Sequence, residues 1–168
     1  MDPNLQRLHQ AIAAATAGLT PAQLAVKIND KWSIAEILEH LYLTYTPTTK
    51  AFQRCVDQNH SSASPRTLKD VLQTFVVVGL GHLPEGRTAP ERTRPQGMPT
   101  QNLVPLILSE IAAMDTAANA CRTVLGPRTR VMDHPILGAL TVDQWSKFHW
   151  VHGRHHVKQI LARRAALK

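Results

Sequence analysis

The spacing of apolar residues is the feature that most restricts the fold of this chain. Leu5, Leu8, Ile12 and Ala15 recur every three or four residues, and the same spacing returns in most later segments. A period of about 3.6 residues is typical of amphipathic α-helices, whereas half-buried strands alternate with a period of two. Because alternation of that kind is nearly absent, the sequence predicts an all-α fold.

Paired polar residues locate the starts of two long helices. Ser33 stands three residues before Glu36, and Thr141 stands three residues before Gln144, each time ahead of an apolar pattern. In such a capping box the hydroxyl accepts a backbone N–H of the first turn, while the Glu or Gln side chain accepts the N–H of the capping residue. We therefore expect a long helix to begin at each pair, with Ser33 and Thr141 as the capping residues.

Six helical segments are predicted along the chain, four of them long. Their approximate bounds are 4–17, 21–26, 34–56, 68 to 79 or 81, 103–126 and 141–166. Residues 82–99 contain four prolines and no apolar period, which predicts a long loop. A second loop with His134, Pro135 and Gly138 is expected before Thr141. The length and pattern predict one domain, residues 1–168, folded as a bundle of helices.

The charge of the chain raises the possibility of a nucleic-acid partner. The sequence has 19 Lys and Arg against 12 Asp and Glu, a formal net charge of +7. The basic residues are spread over two loops and the C-terminal segment, however, and aromatic residues make up only 5% of the chain. Aromatic side chains on which bases could stack are therefore scarce, and no helix-turn-helix spacing is evident. Nucleic-acid binding is the weakest of the alternatives that we consider.

The cysteines and apolar runs bear on where the protein functions. Cys55 and Cys121 are too few for a disulfide framework, so we expect both to be reduced thiols in a cytoplasmic protein. The longest uninterrupted apolar run, Phe75 to Leu80, is far shorter than the ~20 residues that cross a bilayer. The first residues lack the pattern of a secretory signal. We expect no membrane partner.

Histidines are concentrated in the last predicted helix. Four of the nine in the chain lie between His149 and His156. On a helical wheel centred on His152, His156 lies at about +40°, Gln159 at about −20° and His149 at about +60°. Histidines at positions i and i+4 project in parallel and can share one metal ion. The alternative is a histidine-rich amphipathic helix whose side chains are satisfied in other ways.

A third ligand would have to come from another helix, and His40 is the best candidate. Glu36 lies one turn before it and could orient the imidazole, occupy a metal position or activate a bound water, or it could act only as a cap. His149 could be an extra ligand, a hydrogen-bond partner of a ligand or a substrate contact. His155 points away from His156. The loop histidines are expected to be exposed: His60, His82 and His134.

Three stretches of the sequence resemble the DinB/YfiT-like proteins. Trp32 to Leu41 is similar to the W-S-x-x-E-x-x-x-H-L stretch of that family. Residues 134–141 and 145–150, followed by His152-x-x-His155-His156-x-x-Gln159, resemble one branch of it. The resemblance implies an up-down four-helix bundle, often dimeric. It also implies a divalent metal held by one histidine of the second bundle helix and an H-x-x-x-H pair of the last, which here are His40, His152 and His156.

The resemblance implies a function only in outline. Characterised relatives include metal-dependent thiol S-transferases that use a low-molecular-weight thiol. We therefore expect a metal-dependent enzyme acting on a small molecule, either a thiol S-transferase or a hydrolase. Zinc or nickel is the expected ion, with Glu36, His149 and Gln159 as acid/base residues or partners of the ligands. The alternative is a metal-binding stress-response protein without turnover.

Overall fold

The computed structural model describes residues 1–83 and 88–167, and it is mostly helical, as the apolar spacing predicted. The six α-helices are α1 (Pro3–Thr16), α2 (Pro21–Ala25), α3 (Ile34–Asp57), α4 (Leu68–Thr74), α5 (Leu103–Leu125) and α6 (Val142–Ala165). A π-helical turn follows α4 at Phe75–Gly79, and 3-10 turns lie at Glu91–Thr93 and Thr100–Asn102.

Both predicted capping boxes are present at the helix starts. The Ser33 hydroxyl accepts the N–H of Glu36 across 3.1 Å, and Oε2 of Glu36 accepts the N–H of Ser33 across 2.8 Å. Thr141 and Gln144 form the same reciprocal pair at the start of α6. Each box satisfies backbone donors that a helix start would otherwise leave without a partner.

The four long helices bury their apolar stripes against one another. α3 packs along α5, α1 packs along α6, and α1 also contacts α5. Leu5, Leu8 and Ile12 of α1 are fully buried, as are large apolar side chains of the other helices, among them Ile37, Leu38, Leu41, Tyr45 and Phe52 of α3 and Ile107 and Ile111 of α5. The core therefore runs between these helices and brings α3 close to α6.

The expectation of a plain loop before Thr141 is wrong. Two short antiparallel strands form there, β1 (Arg130–His134) and β2 (Gly138–Thr141), paired so that His134 lies opposite Gly138. A break in register between Arg130 and Met132 places two consecutive buried side chains on β1. The hairpin shows no clean alternation of apolar and polar residues, so the sequence pattern did not predict strands there.

Two segments differ in detail from the expected bounds. The helix expected to continue from Leu68 to Gly79 or Gly81 is α-helical only to Thr74 and then widens into the π-helical turn. In the long loop, residues 84–87 lie outside the described residues. Of the described part, Glu91–Thr93 forms a 3-10 turn that contacts α3.

One described helix, Thr100–Leu125, is long and apolar enough to cross a membrane by length and composition alone. Polar residues interrupt it, so it contains no long uninterrupted apolar run. Its buried residues, which include Ile107, Ile111 and Met114, pack in the core against α3 and α1. A core helix of a soluble protein has the same properties.

Candidate metal centre

Three of the predicted histidines meet between α3 and α6. His40 lies in the second turn of α3, and His152 and His156 lie on consecutive turns of α6. Nε2 of His152 is 3.4 Å from Nε2 of His40 and 3.2 Å from Nε2 of His156. One nitrogen from each ring falls within 4.8 Å of the other two. We call these three side chains the histidine trio.

The spacing of the trio fits a single ion. Nitrogen ligands lie about 2.0–2.1 Å from zinc, which separates two of them by about 3.3–3.4 Å in a tetrahedral site. Nε2 of His152 lies 3.4 Å from Nε2 of His40 and 3.2 Å from Nε2 of His156, and both separations match this value. Imidazole nitrogens are ligands for zinc, nickel, copper and iron, so the donor set fits a divalent transition metal and leaves its identity open.

Hydrogen bonds on the far side of two rings turn their Nε2 atoms toward the trio. Nδ1–H of His40 donates to the backbone carbonyl of Thr93 across 2.7 Å. Nδ1–H of His156 donates to Oε1 of Gln159 across 2.8 Å. When Nδ1 carries the proton, Nε2 of a neutral imidazole has a free lone pair, which is the form that binds a metal.

The trio carries more lone pairs than protons at its centre. Nε2 of His152 lies between two nitrogens that both present lone pairs, and a proton on Nε2 of His152 can point at only one of them. Nδ1 of His152 is buried and has no hydrogen-bond partner among residues 1–83 and 88–167. A cation at the centre would satisfy all three Nε2 atoms at once.

The surroundings keep the three rings neutral. Burial lowers the pKa of His40, and the hydrogen bond to Thr93 opposes that shift only in part. Burial, followed by the neighbouring His40, lowers the pKa of His156 to about 3. Burial also holds the pKa of His152 well below its ordinary value, with His156 and His40 adding to the effect. Neutral rings near pH 7 have the lone pairs that a metal requires.

Gln159 is brought to the trio as a partner of a ligand. Its amide oxygen accepts from His156, and its Nε2 donates to Nε2 of His155 across 3.1 Å. With its oxygen toward His156, the amide turns its NH2 group toward His155. His155 is not part of the trio and supports Gln159 instead, consistent with its expected direction away from the centre.

Glu36 lies outside the trio and serves as a cap. Its Oε2 accepts the N–H of Ser33, and its Oε1 pairs with Nζ of Lys27 at 2.9 Å. Burial alone would raise the pKa of Glu36, but the hydrogen bonds from Ser33 and the ion pair with Lys27 together lower it. These contacts correspond to the capping role of Glu36.

His149 also lies apart from the trio, in an aromatic part of the core. It is fully buried and stacks on Trp145 with centroids 5.6 Å apart, and the Tyr45 ring meets its edge at 5.1 Å. Neither ring nitrogen has a partner among the described residues. Burial lowers the pKa of His149 to about 3. The wheel placed it near His152 in direction, but it is one turn earlier along α6 and contacts different neighbours.

The sequence did not reveal the importance of Glu39. This carboxylate is 2% exposed and accepts three successive backbone N–H groups, from Gln96 at 2.6 Å, Gly97 at 3.1 Å and Met98 at 3.0 Å. It thereby fastens the end of the long loop to α3, a few residues after the Thr93 carbonyl that orients His40. A buried carboxylate needs such donors, but nothing in the local sequence indicated where they would come from.

The loop histidines and cysteines lie away from the trio. His60 and His82 are exposed as expected, whereas the expectation of an exposed His134 is wrong, because its ring packs on Phe148 with centroids 4.4 Å apart. Cys55 and Cys121 are free, buried thiols. Burial, followed by the neighbouring Cys55, raises the pKa of Cys121 to about 11, so it is a core thiol rather than a reactive one.

Fold and site together define a mostly helical protein with three histidines that could hold a metal ion between two of its helices. Compared with known families, residues 2–163 match the family described as "Protein of unknown function (DUF1569)". The chain belongs to this family. Neither the curated proteins nor the solved structures give a match.

Proposed function

We propose that the protein binds one divalent metal ion through Nε2 of His40, His152 and His156. The observation that carries the proposal is the convergence of three neutral imidazoles, two of them held by hydrogen bonds that leave Nε2 bare. Structural zinc sites use four protein ligands, whereas three ligands leave a position open for water or substrate. The arrangement therefore favours a catalytic ion over a purely structural one.

The proposed class is a metal-dependent enzyme that acts on a small molecule, of the thiol S-transferase type or a hydrolase. An ion in this position would lower the pKa of a bound thiol or water and supply a nucleophile near neutral pH. The chain itself holds the ligands in place, through Thr93 for His40 and through Gln159 for His156. Glu36 and His149 form no hydrogen bond with the trio, so the proposal assigns them no acid/base role.

The finer features of the proposal derive from the resemblance to the DinB/YfiT-like proteins. They are an up-down four-helix bundle built from α1, α3, α5 and α6, a homodimer, and zinc or nickel as the ion. A low-molecular-weight thiol is the proposed co-substrate, and the cytoplasm, where such thiols stay reduced, is the proposed location. The contacts of α1 with α6 and of α3 with α5 are compatible with that bundle.

Metal analysis of protein purified without a histidine tag tests the proposal. We expect wild-type protein, after incubation with Zn²⁺ or Ni²⁺ and gel filtration, to retain about one ion per chain, and His152→Ala to retain almost none. His60→Ala removes an exposed histidine and is the matched control, so it should bind as wild type does. Equal metal content in His152→Ala and His60→Ala would refute the site.

Activity is tested separately from binding. Metal-loaded protein would be assayed with glutathione, mycothiol or bacillithiol and the electrophile monochlorobimane. Product formation that is lost in His152→Ala and after chelation supports the transferase. Metal binding without turnover of any of these thiols, or of a hydrolysable ester assayed in parallel, would instead favour the non-catalytic metal-binding protein.

A further inference from the structure

An open groove runs along α3, on the part of the helix that follows His40. Its volume is ≈ 290 Å³, and Tyr42, Leu43 and Pro47 contribute its mainly apolar wall. Three cations surround it: Lys50 and Arg54 follow on the same helix, and Arg92 reaches it from the 3-10 turn Glu91–Thr93. We call this feature the α3 groove.

Among the described residues, the cations of the α3 groove have no acidic partner. Within residues 1–83 and 88–167, the side chains of Lys50, Arg54 and Arg92 make no ion pair and no hydrogen bond. Arg94, in contrast, donates to the carbonyl of Ala89. Unpaired cations around an apolar wall attract anions and raise their local concentration. The groove therefore suits a molecule with an anionic group and an uncharged body.

Part of the α3 groove lies on the same side of α3 as His40. On the helical wheel Leu43, Pro47 and Arg54 lie within about 60° of His40, so they share its side of α3. Lys50 follows His40 by ten residues, about 15 Å along the helix axis, a distance that its long side chain shortens. A molecule of about 10–15 Å could thus reach from Lys50 to the trio.

Arg92 connects the groove to the trio by a second route. It precedes Thr93, whose carbonyl holds His40. Its charge also lies close enough to His134 to contribute, after burial, to lowering the pKa of that imidazole to about 4. His134 packs edge-on against Phe148, and the Phe148 ring stacks on His152 at 5.7 Å with an interplanar angle of 8°. The charge of Arg92 thus acts on His134, and the rings of His134, Phe148 and His152 follow one another in aromatic contact.

We propose that the α3 groove binds the anionic end of a small organic acid, with Lys50, Arg54 and Arg92 as its counter-charges, and directs the other end toward the trio. The direction toward the trio rests on the proposed function, whereas anion binding in the groove does not. Arg54 and Arg92 suit carboxylates because a guanidinium offers paired N–H donors in a planar fork.

Binding of 1-naphthoate, compared with its uncharged analogue 1-naphthamide, tests the charge requirement. At low ionic strength, where charges are little screened, wild-type protein should bind the anion at least about tenfold more tightly than the amide in a calorimetric or NMR titration. Lys50→Glu/Arg54→Glu should weaken naphthoate by about tenfold or more, and Arg92→Glu should act in the same direction. Equal affinities for naphthoate and naphthamide would overturn the proposal.

A matched control separates the groove from the overall charge of the protein. Arg128→Glu/Arg130→Glu makes the same change in net charge at two other exposed arginines, and it should leave naphthoate affinity within about twofold of wild type. If this variant weakens binding as much as Lys50→Glu/Arg54→Glu does, the effect belongs to net charge and the groove assignment fails.

Co²⁺ distinguishes failure of the groove from failure of the metal site. Its absorption reports binding to the trio, and we expect Lys50→Glu/Arg54→Glu to bind Co²⁺ as wild type does. Bound Co²⁺ should also accelerate the relaxation of naphthoate protons in wild type. Binding of naphthoate without that acceleration would overturn the link to the trio. Normal naphthoate binding in a protein that takes up no Co²⁺ would overturn the proposed function and leave the anion groove standing.

Discussion

His156 and Gln159 lie one turn apart on α6, and Nδ1–H of the imidazole donates to Oε1 of the amide across 2.8 Å. The bond assigns the proton of a neutral His156 to Nδ1 and leaves Nε2 to face His152 and His40. Nε2 of Gln159 in turn donates to Nε2 of His155, four residues earlier on α6. Two residues that lie outside the trio therefore determine how one of its members is oriented.

Removing the Gln159 acceptor should weaken metal binding without unfolding the protein. We expect Gln159→Leu to lower the affinity for Zn²⁺ about 10–100-fold, the usual cost of losing a hydrogen bond to a metal-bound histidine. Gln159→Glu retains an acceptor for His156 and should stay close to wild type. Competition with a chromophoric chelator measures both affinities. Equal weakening in the two variants would show that the acceptor for His156 does not determine the affinity for Zn²⁺.

Glu39 should be more important to stability than Glu36 on the same helix. Glu39→Gln takes the charge from an acceptor of three backbone N–H groups, and charged hydrogen bonds contribute about 1.5–3 kcal/mol each, so we expect a loss of at least about 2 kcal/mol. Glu36→Gln keeps a side chain that can complete the capping box and should cost less than about 1 kcal/mol. Urea denaturation of the metal-free proteins measures both values, and a smaller loss for Glu39→Gln than for Glu36→Gln would contradict the assignment.

The same substitution should also loosen the metal site. Residues 96–98 are fastened to Glu39, and the Thr93 carbonyl that holds His40 lies just before them. We expect Glu39→Gln, measured under conditions where it is folded, to bind Zn²⁺ more weakly than Glu36→Gln does. Unchanged affinity would show that Thr93 keeps its place without this anchor.

What could be predicted from the sequence depended on how local each signal was. The capping boxes and the i, i+4 pair His152 and His156 are set within one helix, and both were predicted. His40 is predicted because its place in a long helix, one turn after Glu36, and the family resemblance favour the same residue. The partners of Glu39 lie in a loop without apolar periodicity, more than fifty residues away, so no local pattern could indicate them.

Other differences arose because a helical wheel gives a direction but not a neighbour. It placed His149 beside His152, yet packing against Tyr45 and Trp145 decides its surroundings. For Glu36 the sequence left roles at the metal and at the helix cap open, and Lys27, which precedes the helix, occupies the oxygen left free by the cap. Tertiary contacts settled both cases.

Gly153 permits close packing of three helices, and a methyl group there should be costly. A Cβ at this position would collide with Cδ1 of Leu8 on α1 and would lie 2.9 Å from the Tyr45 hydroxyl on α3. We expect Gly153→Ala to destabilise the protein by about 1–3 kcal/mol, although alanine is the better helix former. Combining it with Leu8→Ala should cost less than the sum of the two single changes. The cavity that Leu8→Ala leaves can receive the methyl group of Ala at position 153. Strict additivity in urea denaturation would exclude this contact as the cause.

The buried His149 should make the metal-free protein sensitive to acid. Its pKa is lowered to about 3 in the folded state by burial, against an ordinary value of about 6.5 in the unfolded chain. Between these values the unfolded state binds more protons, so stability rises with pH and is lost as the pH falls below about 6.5. His149→Leu removes this contribution, and below pH 6 its free energy of unfolding should fall less steeply than that of wild type, by up to about 1.4 kcal/mol per pH unit. The slopes come from urea denaturation between pH 5 and 8, with the exposed His60→Leu as the control for replacing a histidine. If wild type and His149→Leu lose stability in parallel, protonation of His149 does not drive the acid response, and the three rings of the trio, whose pKa values are also lowered, become its source.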